Sequence, residues 1–279
     1  MLFKLAGYSD KGVAKASNQD SFLIKVANTS LGDVALAVVA DGMGGLSKGE
    51  LASAQAIRAV GKWFDDKMPS YLNTMGSSVA GLERLVEAQL NGLVQELNLS
   101  ILQYGKQNRI NLGTTFTAFL CVGSRYSIAH VGDSRVYEIT QDAVVQLTED
   151  QTLVQRELSA GRITPKEAKN HPQGNVLLQC VGATKEVDPQ VKSGFLKKGA
   201  TYLLCSDGFR HQITEEELMR DFAPISLAGC WQADAGDAGA IHYAAVEERI
   251  KESVLRAEER GEKDNITAVV LSLGEEGSR

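Results

Sequence analysis

Aspartates recur in this chain where apolar runs meet turns, and their positions pose a chemical question. "LAVVADGMGG" carries an apolar run, residues 36–40, onto Asp41 and a glycine-rich turn. "YLLCSDG" does the same with Asp207 and Gly208. In "KDNITAVVLSL" the order reverses, and Asp264 precedes the run. Asp20 stands just ahead of "SFLIKV", and "SIAHVGDSR" carries Asp133 one glycine past its apolar stretch. Short apolar runs bounded by turn residues read as buried strands. Antiparallel neighbours bring the start of one strand beside the end of another. Asp41, Asp207 and Asp264 therefore share one rim if their strands are neighbours. A single Asp-Gly is ordinary turn chemistry, but several carboxylates at one rim repel unless a cation neutralises them. Carboxylates, carbonyls and water are the ligands of Mg²⁺ and Mn²⁺, and a glycine after the acid lets its own carbonyl approach an ion. "DGMGGLSKGELAS" lacks acids at the third and fifth positions, which excludes an EF-hand.

The elements that must position these acids follow from periodicity. Strands are expected at the N-terminus, in "DSFLIKV" and in "GDVALAVVA". Ser47 and Glu50 have the spacing of a capping box, so a helix is expected there, with Leu51, Ala54, Ile57, Gly61 and Phe64 on its buried stripe. A loop at Gly76 leads to a second helix over about 82–104, striped by Leu82, Val86, Leu93, Leu97 and Ile101. "TTFTAFLCV", "RYSIAHV", "RVYEIT" and "VVQLT" are separated by hairpin-length breaks and predict an antiparallel meander. Residues 149–175 are polar, and Thr164, Pro165 and Glu167 mark a short helix within them. Thr214 and Glu217 repeat the capping signal; residues 223–241 read as a loop, and a last helix is expected from about 241, opened by His242, to 260. "NITAVVLSL" closes the chain as a strand. Segregated antiparallel strands with flanking helices predict α+β layers in one domain over residues 1–279.

Composition narrows the function. Hydrophobic residues make up 43% and charged residues 23% of the 279, a globular balance. A net charge of −6 argues against a nucleic-acid footprint. No apolar run approaches the ~20 residues of a membrane span, and "MLFKLAGYSDKG" turns polar too soon for a signal peptide. Cys121, Cys180, Cys205 and Cys230 form no CxxC pair, which argues against zinc and for free thiols in a reducing cytoplasm.

Taken in order, "SDKGVAKASNQDS", "VVADGMGG", "LGTTFTAFL", "AHVGDSR", "LLCSDG" and "DNITAVV" resemble the motif set of the PPM family, the metal-dependent type 2C Ser/Thr protein phosphatases. The bacterial single-domain members are the most similar. The resemblance implies a four-layer α-β-β-α sandwich of two antiparallel sheets, with two Mn²⁺ or Mg²⁺ ions in a cleft at one end. It implies that Asp41 bridges both ions, that the Gly42 carbonyl binds one, and that Asp207 and Asp264 bind the other. Asp20 would lie in the outer shell, on metal-bound water, and Asp133 would help hold a weaker third ion. The implied reaction is hydrolysis of phospho-Ser and phospho-Thr esters by direct attack of a metal-bridging hydroxide. The implied substrate is a phosphorylated protein, the target of a Ser/Thr kinase, met by a monomeric enzyme in the cytoplasm. Residues 149–175 resemble the family's flap.

The chain departs from the family at several positions. Lys15 stands where an Arg usually grips the substrate phosphate, and Lys lacks the bidentate fork. Gln19 replaces a frequent Glu, and Met43 stands where animal members carry a His. His211 takes the place of a further Asp, a third-metal ligand in many members; a softer metal, an acid role or neither remain open for it. The alternative reading is a pseudo-phosphatase that binds a phosphoprotein without turnover.

Overall fold

The computed structural model describes residues 2–29, 32–43, 48–74, 79–169, 171–232, 234–235 and 241–274. Three strands open the chain, β1 (Leu2–Asp10), β2 (Asp20–Thr29) and β3 (Gly32–Asp41), followed by helices α1 (Gly49–Thr74) and α2 (Val79–Asn108). Two hairpins come next, β4 (Phe116–Val122) with β5 (Arg125–Val131), and β6 (Arg135–Ile139) with β7 (Val144–Gln146). Short helices α3 (Leu153–Ser159) and α4 (Pro165–Lys169) lead to β8 (Gln190–Phe195) and β9 (Thr201–Cys205). Then come α5 (Asp207–Arg210), α6 (Glu215–Phe222), α7 (Pro224–Leu227), β10 (Asp234–Ala235), β11 (Ile241–His242), α8 (Ala244–Glu259) and β12 (Ile266–Gly274).

The strands form two five-stranded antiparallel sheets, ordered β1-β12-β9-β6-β7 and β2-β3-β4-β5-β8. Strand β3 shows why its sequence is a continuous apolar run rather than an alternating one. Val34, Leu36, Val38 and Ala40 face α1 and α2, in a core with Ala56, Val60, Leu90 and Ile101. Ala35, Ala37 and Val39 face the other sheet, in a core with Phe119, Tyr202, Leu204 and Val269. Both faces of β3 are buried, so both parities must be apolar. A third core lies between the outer face of the first sheet (Leu203, Cys205, Ala268, Val270) and Val246, Ile250 and Val254 of α8. The result is the expected α-β-β-α sandwich.

Four local expectations are corrected. The predicted meander breaks after β5: β4–β5 lies in one sheet and β6–β7 in the other. The chain crosses between layers at Gly132, whose φ of 111° suits glycine and whose missing Cβ leaves room for the Thr115 side chain. The buried stripe of α1 keeps Gly61 and Phe64 of the predicted set, with Ile57 packed partly against the core, but Leu51 is exposed and Ala52, Ala56, Val60, Trp63 and Met68 complete the buried face. Small alanines there let the helix lie close to the sheet. Residues 223–241 hold helix α7 and strand β10 rather than only loop, and the last helix starts at Ala244 because His242 pairs with Asp234 across β10–β11. Ser47, Gly76 and the side chain of Leu82 lie outside the described residues. The capping boxes at Thr164–Glu167 and Thr214–Glu217 are formed.

His130 on β5 is wholly buried between the hydroxyl of Thr117 (Nδ1, 2.9 Å) and the carbonyl of Glu149 (Nε2, 3.2 Å). Burial pushes its imidazole down to about 4. The folded state therefore binds fewer protons than the unfolded chain between pH 4 and 6.5, and this contribution is complete above 6.5 and lost as pH falls. Relative to a His130→Asn variant, the wild-type protein is expected to lose about 2 kcal/mol of stability from pH 7 to pH 5. Denaturant titrations of both proteins at the two pH values check this; a constant difference would contradict it.

Candidate active site

The acids singled out by the sequence converge because of strand register. β2 and β3 pair so that Asp20 lies directly across from Asp41. On the facing sheet, β9 and β12 run side by side, so the turn after Cys205 lies beside the start of β12. This brings Asp207, the first residue of α5, and Asp264, two residues before β12, to the same end of the sandwich. Asp20, Asp133 and Asp207 are buried, and Asp41 and Asp264 are half-buried.

Asp41 is held through its backbone rather than through its carboxylate. The Asp41 carbonyl accepts from Thr115 N–H (2.8 Å) and Thr114 Oγ1 (2.9 Å), and its own N–H donates to Thr115 Oγ1 (2.9 Å). Gly42 follows in a space where any Cβ would collide with the carbonyl oxygens of Gln19 and Gly49, so the turn admits only glycine. Glu262 Oε1 accepts from the N–H groups of Lys263 (2.8 Å) and Asp264 (3.0 Å) and fixes the approach to β12. Asn265 reaches the other way: its Oδ1 accepts from Gln19 N–H (2.9 Å), and its Nδ2 donates to the carbonyls of Lys11 (2.8 Å) and Ser17 (3.1 Å). The loop that carries Lys15 is thereby tied to the residue next to Asp264. A relay of side chains supports Asp20. Asn18 donates to Ser9 (2.8 Å), Ser9 lies 2.7 Å from Thr267 Oγ1, and Thr267 donates to Asp20 Oδ2 (2.6 Å).

The carboxylates themselves are poorly compensated. Asp20 Oδ1 and Asp207 Oδ1 are buried and have no hydrogen-bond partner. Burial, and then the neighbouring Asp207 and Asp264, raise Asp20 to about 7. Burial followed by Asp20, Asp207, Asp133 and Asp264 holds Asp41 well above the usual carboxylate range. Burial followed by Asp207 raises Asp133 to about 6. The unpartnered buried oxygens of Asp20 and Asp207, beside the Asp41 carboxylate, form an oxygen donor set that fits Mg²⁺ or Mn²⁺. Among the described residues no three such side chains are drawn round one point.

The remaining predicted residues fall as follows. Lys15 Nζ lies 2.6 Å from Asp264 Oδ1; burial works against its charge, but Asp264, Asp41 and Asp207 outweigh that and raise its pKa. Gln19 donates to Glu50 Oε2 (3.2 Å), a contact that a Glu at this position would turn into repulsion. Asp133 and His211 face different partners. Arg210 donates to Asp133, whereas His211 points Nδ1 at Glu262 (3.6 Å) and Nε2 at Asp207 (3.9 Å). Sequence reasoning missed Thr114, Thr115, Glu262, Asn265 and Thr267. The usable signal was polar residues at strand starts beside the acids, in "LGTTF" and "EKDNIT".

Fold and site together define a class: an α-β-β-α sandwich with a cluster of carboxylates from both sheets at one end. The chain belongs to the protein phosphatase 2C family, whose model matches residues 11–237. It is 30% identical over 273 residues, 98% of its length, to the serine/threonine protein phosphatase PstP of Mycobacterium tuberculosis, but spans only 45% of that relative. It is 34% identical over 185 residues to the serine/threonine phosphatase stp of Listeria innocua, covering 66% of this chain and 69% of that one. The crystal structure of the PstP catalytic domain in complex with two manganese ions superposes with a TM-score of 0.73 at 29% identity, over 98% of this chain and 99% of that one.

Repulsion among these acids has a measurable consequence for the metal-free protein. Asp41 is raised in the folded state, so its penalty grows as pH rises above the unfolded value near 4. In chelator at pH 7, Asp41→Asn is expected to melt about 3 °C or more above wild type, the shift that ~1 kcal/mol gives at this size. The gap should narrow toward pH 5. A variant no more stable than wild type at any pH in that range would contradict the repulsion.

Proposed function

We propose that this chain is a metal-dependent phosphoprotein phosphatase that hydrolyses phospho-Ser and phospho-Thr esters. The observation that carries the reading is the set of strand-end acids from both sheets whose buried oxygens lack partners. Membership of the protein phosphatase 2C family and the names of the curated relatives support it. Asp41, the Gly42 carbonyl, Asp207 and Asp264 would hold Mn²⁺ or Mg²⁺. Two such ions, when bound, activate water and neutralise phosphate oxygens, which removes the need for a covalent phospho-enzyme.

The chain's own residues do the rest. Asp20 keeps one carboxylate oxygen unpartnered beside Asp41, where it orients water for in-line attack. Lys15 brings a positive charge on a flexible stem and exchanges Asp264 for a substrate phosphate, as a point charge rather than a fork. Thr114, Thr115, Glu262 and Asn265 hold the acid-bearing turns still while charge builds up. A thiol nucleophile is disfavoured: Cys121 and Cys205 are wholly buried, and burial pushes Cys121 far up and Cys205 to about 12. The substrate is a phosphoprotein made by a Ser/Thr kinase. The enzyme works as a single catalytic unit, a cytoplasmic monomer, with residues 149–175 as a flap.

Turnover of a phospho-Thr peptide is expected with Mn²⁺, to vanish in chelator and to survive iodoacetamide. Asp41→Asn should lower it at least about 100-fold, or ~2.7 kcal/mol of barrier. Steady-state assays with circular dichroism of the variant check this. Peptide binding without turnover at saturating Mn²⁺ would contradict it and favour a pseudo-phosphatase.

A further inference from the structure

Asp133 is the acid for which the family resemblance implies a third metal ion, and the structure already gives it a cation. Arg210 is the last residue of α5, the short helix that starts at Asp207. Its side chain reaches Asp133 with two arms: Nη2 donates to Asp133 Oδ2 (3.0 Å), and Nε donates to the Asp133 main-chain carbonyl (3.2 Å). The same Nη2 lies 3.5 Å from Asp150 Oδ2. Asp150 is gripped in turn by Arg135, with Nε on Oδ1 at 2.8 Å and Nη2 on Oδ2 at 2.7 Å. The Arg210 side chain is only 13% exposed, and those of Asp133 and Asp150 are 5% and 8% exposed.

The cluster therefore supplies its own counter-charges. Two guanidinium groups face two carboxylates, and arginine cannot shed its charge to make room for another cation. A divalent ion at Asp133 would have to expel Arg210 from a largely buried fork or sit against it. His211, the other residue considered for a third ion, is turned toward Glu262 and Asp207. We infer that Arg210 is the resident cation at Asp133, a guanidinium fixed by the fold in the place of a third metal ion. The inference rests on the metal-dependent reading of the main site and deepens it. The charge beside Asp207 is set by the chain and does not vary with metal concentration, so metal dependence reports only the ions held by Asp41, Asp207 and Asp264.

The test is Mn²⁺ stoichiometry. Wild type, Arg210→Gln and Arg210→Lys are titrated with Mn²⁺ by calorimetry and by electron paramagnetic resonance, with folding followed by circular dichroism. Anomalous scattering is measured from Mn²⁺-grown crystals of wild type. Two ions per chain are expected in wild type and in Arg210→Lys, which keeps the charge, with no anomalous peak at Asp133. Arg210→Gln is expected to gain a third, weaker site that Asp133→Asn on that background removes. A third ion in wild type, a peak within bonding reach of Asp133, or a folded Arg210→Gln that gains no site would overturn the inference. If Arg210→Gln fails to fold, the wild-type anomalous map decides the matter alone. Binding of no Mn²⁺ at all would overturn the two-metal reading and this inference with it, whereas three ions would overturn this inference only.

Discussion

The structure turns on mutual repulsion among carboxylates at one end of a sandwich. Strand register places Asp20 against Asp41 on one sheet, while the β9–β12 pair brings Asp207 and Asp264 from the other. Nothing in the packing needs acids there, and burial makes each of the raised ones worse as an anion. The chain tolerates the arrangement by anchoring backbones. Thr114, Thr115, Glu262 and Asn265 spend their hydrogen bonds on main-chain groups and leave carboxylate oxygens free. Backbones held in this way leave the side-chain carboxylates under-neutralised at one end of the sandwich.

The same end of the molecule holds a contrasting solution. At Asp133 and Asp150 the chain supplies its own cations, Arg210 and Arg135, and each carboxylate there is hydrogen-bonded to a guanidinium. The two clusters differ in what balances the charge: built-in guanidinium groups in one and, on the proposed reading, an exchangeable ion in the other. The boundary between them runs along α5, with Asp207 at its start and Arg210 at its end.

Much of this was legible in the chain, and the reasons are physical. The core strands could be read because β3 is apolar on both faces, which leaves one assignment. The acids could be read because an Asp at the end of such a strand has no packing role. The meander was misread because periodicity within β5 and β6 carries no information about which sheet each joins; Gly132 was the only mark of the crossing. The start of the α1 stripe was misread because small residues there, Ala52 and Ala56, are buried where the bulkier Leu51 is exposed. The Arg210 fork was invisible, since residues 133 and 210 are distant in sequence and meet only because β6 pairs with β9. Thr114, Thr115 and Asn265 lay within quoted motifs, but their work is done through backbone contacts that spacing does not reveal.

The central claim is that the rim acids are held partly protonated until divalent ions take the protons' place. Calorimetric titration of the metal-free protein with Mn²⁺ at pH 6.5, in buffers of differing ionisation enthalpy, measures the protons exchanged on binding. The account predicts a net release of roughly one to two protons per chain, which falls as the pH is raised. Mn²⁺ binding with no proton release at pH 6.5 would contradict it, because the carboxylates would then be fully ionised in the metal-free protein, and burial and mutual repulsion would not be raising their proton affinity.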